Sequence, residues 1–66
     1  FMKIKELRKA ANLNQVMLAE RMGVTQSTVS SWETGSAMPA ASTLPKLADL
    51  LGCTIDDLYG RSRESA

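Results

Sequence analysis

The sequence contains no histidine and a single cysteine, Cys53. Those two scarcities remove the usual zinc constellations and any disulfide within the chain. A lone thiol fits a reducing, cytoplasmic setting. Without histidine no serine has its customary general base, and no Gly-rich segment offers a phosphate cradle, so nothing in the residues supports an enzyme. Apolar runs are short, and none approaches the ~20 residues that a membrane-spanning helix needs. Lys3, Lys5, Glu6, Arg8 and Lys9 occupy the N-terminus where a signal peptide would need an apolar stretch. Phe1, ahead of Met2, is read as standing before the native start. An excess of one charge is missing too. Eight Lys and Arg against seven Asp and Glu leave a formal net charge of +1, so nucleic-acid binding would depend on where the charges lie.

What is present is helical. At 66 residues and 44% hydrophobic content, the chain has room for one domain, near the lower limit for a self-sufficient core. Ile4, Leu7 and Ala11 recur at three- and four-residue spacing and predict a first helix from Met2 to Ala11. Asn14 is a good N-cap for a second, Gln15 to Met22, whose inward residues are Leu18, Ala19 and Met22. Gly23 supplies the left-handed backbone that stops it. Thr25 caps a third, Gln26 to Thr34, which buries Val29 and Trp32 and closes at Gly35. After a loop containing Pro39, Ser42 is expected to cap a fourth helix with Pro45 in its first turn. Its buried stripe is Leu44, Leu47, Ala48 and Leu51, and Gly52 ends it. Thr54 and Asp57 form a capping-box pattern for a last short helix, Ile55 to Tyr59. Residues 2–60 make the domain and 61–66 a polar tail.

The informative spacing lies between the second and third helices. Counting Gln15 as the first position, Ala19, Gly23, Val29 and Trp32 fall at positions 5, 9, 15 and 18. A small residue at Ala19 lets the two helices cross closely, Gly23 makes the turn, and Val29 and Trp32 lock the third helix from behind. That is a helix–turn–helix, whose second helix presents its outer face to a DNA groove. From Thr25 to Ser31 every residue except Val29 is polar and uncharged. An amide such as Gln26 can pair bidentately with the N6 and N7 edge of adenine, worth about 1–3 kcal/mol of discrimination.

With Leu18–Ala19–Glu20–Arg21–Met22–Gly23–Val24, Trp32–Glu33–Thr34–Gly35 and Leu47–Ala48–Asp49–Leu50–Leu51–Gly52 beside it, this ordered set resembles the phage repressor and Cro family. The resemblance covers Ile4 to Tyr59. It implies an all-α, compact five-helix, lambda-repressor-like fold that binds a double-stranded, palindromic DNA operator as a homodimer. It implies a sequence-specific transcriptional regulator, a repressor by preference, that inserts its third helix in the major groove. Under it, Gln26, Ser27 and Ser31 read bases. Gln15, Thr25, Thr28, Ser30, Arg8 and Asn14 hold the DNA backbone or support those that do, with Gln15 engaging a phosphate through its amide and side chain. A salt bridge from Arg8 to Glu33 is also implied, with a phosphate contact as the alternative role for Arg8. No cofactor or metal is called for.

Plainer roles compete at several residues. Trp32 belongs to the core rather than to a base-stacking platform, Cys53 packs as a small hydrophobe, and Asp56 and Asp57 suit a helix N-terminus better than acid catalysis. The chain also departs from the family pattern. No Lys or Arg occurs between Met22 and Pro45, which predicts modest affinity and a shallow salt dependence. Val16 and Met17 stand where polar residues are usual, at least one of them exposed, and with Met38 they would make an apolar patch. That patch sustains a rival reading, a helix–turn–helix scaffold acting mainly as a protein–protein module, antitoxin-like or anti-regulator. Finally, the chain ends soon after its fifth helix, as a minimal regulator or as the DNA-binding part of a longer one. A dimer contact is expected at Leu58, Tyr59 and the tail.

Overall fold

Each helix starts and stops at a residue with a mechanical reason to stand there. The computed structural model describes residues 2–60, and the expected tail, 61–66, lies outside them. The helices are α1 (Ile4–Ala10), α2 (Gln15–Met22), α3 (Gln26–Thr34), α4 (Leu44–Leu51) and α5 (Ile55–Leu58), with a 3-10 turn, Ala41–Thr43, leading into α4. No strand occurs among the described residues. This is the all-α, five-helix arrangement that the sequence implies.

The caps behave as their chemistry predicts. Asn14 accepts the Met17 N–H at 2.7 Å and Thr25 accepts the Thr28 N–H at 3.2 Å, each from an extended backbone. At α5 both halves of the capping box form, Thr54 with Asp57. Gly23 takes φ 73° at the end of α2, and a Cβ there would meet nothing within 4 Å. Glycine is therefore required by backbone conformation, not by crowding.

Four boundaries differ from expectation. α1 is shorter at both ends, because the Lys3 N–H donates to the Leu58 carbonyl at 2.7 Å and ties the chain's entry to α5. Met2, although outside the helix, is buried in the core. At the other end Asn12 adopts φ 60°, a left-handed conformation that asparagine tolerates better than most residues. Ser42 does not cap α4. It sits within the 3-10 turn, the extended residue is Ala40, and Thr43 at the N-cap makes no side-chain cap bond. α5 stops at Leu58, with Tyr59 as its cap.

The core gathers one stripe from every helix: Ile4, Leu18, Ala19, Val29, Trp32, Leu44, Leu47, Leu51 and Leu58 are all buried. α2 packs most extensively on α3, with the buried Ala19 on α2 and α1 supporting α3 in turn. Leu58 is fully buried, which corrects its assignment to a dimer surface: α5 spends its one apolar anchor on its own domain.

Candidate nucleic-acid interface

α3 is held by its back and shows its front. Val29 is fully inaccessible and Trp32 6% exposed, whereas Gln26 and Ser27 at the helix start are exposed. Successive residues turn by 100°, so Ser27, Ser30, Ser31 and Thr34 lie opposite the Val29–Trp32 stripe. Ser30 and Ser31 are half-buried there, and Thr34 is exposed. Thr34 was missed by reading from Thr25 to Ser31 alone. It lies seven residues after Ser27, and extending the same stripe by one turn would have found it. Its hydroxyl donates to the Ser31 carbonyl at 3.4 Å and lies 3.1 Å from the Ser36 hydroxyl. Thr25 and Thr28 form a local pair, their hydroxyls 3.0 Å apart beside the cap bond. Asn14 is likewise committed to capping α2.

Behind this face the tertiary fold assembles a relay of four side chains from three helices. Arg8 on α1 donates through Nε to Glu33 at 2.6 Å and through Nη2 at 3.3 Å, while its Nη1 reaches the Leu13 carbonyl at 2.8 Å. Gln15 on α2 donates through Nε2 to Glu33 Oε1 at 3.0 Å. Gln26 on α3 donates through Nε2 to Gln15 Oε1 at 3.2 Å. A buried ion pair is thus wired to the exposed tip of the recognition helix. The side chains of Arg8 and Glu33 are 9% and 4% exposed. Burial pushes the Glu33 carboxyl up, but the Arg8 and Gln15 hydrogen bonds and the positive charges of Arg8 and Lys5 outweigh it and hold the group below its ordinary 4.5.

Two expectations change as a result. Arg8 is buried with its guanidinium engaged by Glu33 and the Leu13 carbonyl, and not held out to solvent where a phosphate contact was the alternative expectation. The side chain of Gln15 is likewise turned to Glu33 and Gln26, so of the amide and side chain expected to engage a phosphate only the side chain has partners within the fold. The ion pair was suggested by resemblance. The Gln15–Glu33 and Gln26–Gln15 bonds had no signal in the sequence, because their partners lie 18 and 11 residues apart and meet only through helix crossing.

The apolar residues of α2 divide. Val16 is exposed, while Met17 packs partly against the core, so the surface left to a patch is smaller than expected. Met38 is exposed as well. Cys53 is half-buried against the core. Burial, then the nearby Asp57 charge, push its thiol above the ordinary 9.0, the condition of an inert packing residue. Lys5, Lys9 and Arg21 are exposed. No helix among the described residues is long and apolar enough to cross a membrane.

Comparison with known proteins agrees with this geometry. The chain is 39% identical over 64 residues to the cryptic phage CTXphi transcriptional repressor RstR of Vibrio cholerae, covering 91% of this chain and 57% of that protein. It is 36% identical over 62 residues to the HTH-type transcriptional regulator AnsR of Bacillus subtilis, covering 94% and 53%. It is also 36% identical over 56 residues to the HTH-type transcriptional activator BcrR of Enterococcus faecalis, covering 85% and 28%. The chain therefore spans about half the length, or less, of these curated relatives. Residues 4–58 match the helix-turn-helix family, and with α2 and α3 meeting as that motif requires, the chain belongs to that family.

Proposed function

We propose that this domain is the DNA-reading part of a non-enzymatic, cytoplasmic, sequence-specific transcriptional regulator that sets α3 into the major groove. The single observation that carries the reading is the two-sided character of α3. Val29 and Trp32 fasten it to the body, while an uninterrupted set of amide and hydroxyl side chains faces outward. Gln26, Ser27 and Ser31 read base edges, and Thr34 extends the same face. Thr25, Thr28, Ser30 and Asn14, with the backbone amide of Gln15, address phosphates or brace the groups that do. Arg8 and Glu33 set the position of Gln15 from inside.

The regulator acts as a homodimer on a palindrome, with two recognition helices about 34 Å apart, one turn of duplex. With Leu58 buried, the contact at that end of the fold falls to the exposed Ile55 and Tyr59. Repression is the mode that asks least of the protein, since a bound domain occludes DNA without a further surface. Among its relatives, RstR is named a repressor and BcrR an activator.

Selection of binding sites from random duplexes tests this directly. A palindrome is enriched, and the Gln26→Ala/Ser27→Ala double variant loses it while melting at the wild-type temperature. Enrichment of nothing at low salt would favour the scaffold reading, in which Val16 and Met38 meet another protein. Salt supplies a second check. Few cations are placed to meet phosphates, so log affinity falls against log salt with a slope no steeper than about −6 per monomer. A steeper slope would mean a phosphate-clamping surface somewhere else on the domain.

A further inference from the structure

We propose that Glu33 is a specificity-positioning residue: acting through Gln15, it dictates which atoms of Gln26 face the DNA, and thereby selects adenine over guanine. The proposal rests on Gln26 reading a base, and it adds the reason for that base's identity.

The argument is one of donors and acceptors. An ionised carboxylate can only accept hydrogen bonds. Glu33 is held ionised among Arg8, Gln15 and the Lys5 charge. Whatever amide group approaches it must present nitrogen, so Gln15 turns Nε2 to Glu33 and Oε1 away. That oxygen in turn calls for a donor, and Gln26 answers with Nε2 at 3.2 Å. One of the two Nε2 hydrogens of Gln26 is then spent. What remains toward solvent is one N–H and the Oε1 acceptor, the complement of adenine N7 and N6–H₂. Guanine offers two acceptors, O6 and N7, and an amide suits it only by donating twice. The relay denies Gln26 the second donor.

Inverting the relay inverts the preference. In a Glu33→Gln variant the single remaining oxygen keeps the shorter Arg8 bond, from Nε at 2.6 Å, and the NH₂ group takes the place of Oε1 facing Gln15, giving up the longer Nη2 contact at 3.3 Å. Gln15 then turns its oxygen to position 33 and its nitrogen to Gln26, which accepts through Oε1 and frees both Nε2 hydrogens. Guanine becomes the better partner. A loss of packing or stability has no means of producing such an exchange.

The test uses the intact chain and duplexes built on the wild-type selected site, differing only at the position whose preference Gln26→Ala abolishes. The wild type favours adenine over guanine there. In Glu33→Gln the adenine-to-guanine affinity ratio falls by about tenfold or more, toward guanine, while discrimination at other positions is kept. Gln15→Ala, which cuts the relay and leaves the Arg8–Glu33 pair in place, loses the preference without gaining one for guanine. In a Gln26→Ala background, Glu33→Gln changes nothing further at that position. A ratio within about twofold of wild type in a folded Glu33→Gln protein overturns the proposal, as does equal weakening at every position. If Gln26→Ala leaves every base preference intact, the parent reading of Gln26 fails first, and the two failures are told apart by that control.

Discussion

Replacing Arg8 with methionine costs the domain about 3–5 kcal/mol, the usual effect of leaving one member of a buried ion pair without its partner. The methionine fills most of the space, so the loss is electrostatic. Glu33, 4% exposed, keeps Gln15 but loses the guanidinium, and the Leu13 carbonyl loses its Nη1 donor. Acid separates this from a packing defect. In the wild type Glu33 has a folded pKa below 4.5, so its stabilising contribution is full above 4.5 and disappears as pH falls through the folded value. In the variant, burial is no longer outweighed by Arg8 and the folded pKa rises. Glu33 then favours unfolding at neutral pH and becomes harmless once protonated. The stability gap between variant and wild type is therefore widest near pH 7 and narrows below 4.5, which urea titrations across pH will show. Removing both charges, as in Arg8→Met/Glu33→Met, recovers much of the loss. A pH-independent gap would mean that the pair contributes only by packing.

Trp32→Ala produces a loss of similar size, about 3–5 kcal/mol, by a different route. The indole is 6% exposed and, with Val29, fastens α3 to the rest of the domain. Its removal leaves a cavity that short helices cannot close without moving α3. A domain of this size has only about 3–10 kcal/mol of stability in all. Much of the variant is unfolded at 25 °C, and its DNA affinity falls in step with the folded fraction seen by circular dichroism. Ser27→Ala behaves in the opposite way, weakening DNA binding while the melting temperature stays put. A Trp32→Ala protein that melts like the wild type but fails to bind DNA would make the indole a contact residue and not an anchor.

The sequence is most legible where structure is local. Asn14, Thr25 and the Thr54–Asp57 box announce helix starts because capping is settled within three residues, and Gly23 announces a stop because φ 73° is a property of one backbone position. α2 and α3 are accordingly found at the ends expected of them. Legibility falls where a local rule meets a distant competitor. Ser42 has the chemistry of a cap, yet the chain passes through a 3-10 turn and its backbone never takes the extended form a cap needs. α1 begins late because Lys3 is bonded to Leu58, at the far end of the domain. Leu58 itself, apolar and near the chain's end, reads equally well as surface or as core.

The order of residues alone determined that this chain is a bundle of five short helices and that the segment after Gly23 carries an outward polar face, because periodicity and capping depend on neighbours a few positions apart. Packing decided which of those polar groups are free. Arg8 was drawn into the interior by Glu33, and the Gln15 side chain was turned toward Glu33 and Gln26. Thr34 was left standing beside Ser31 on the open face. Hydrogen-bonding groups on different helices compete for partners only once the helices have crossed, and that competition depends on geometry the linear chain does not contain.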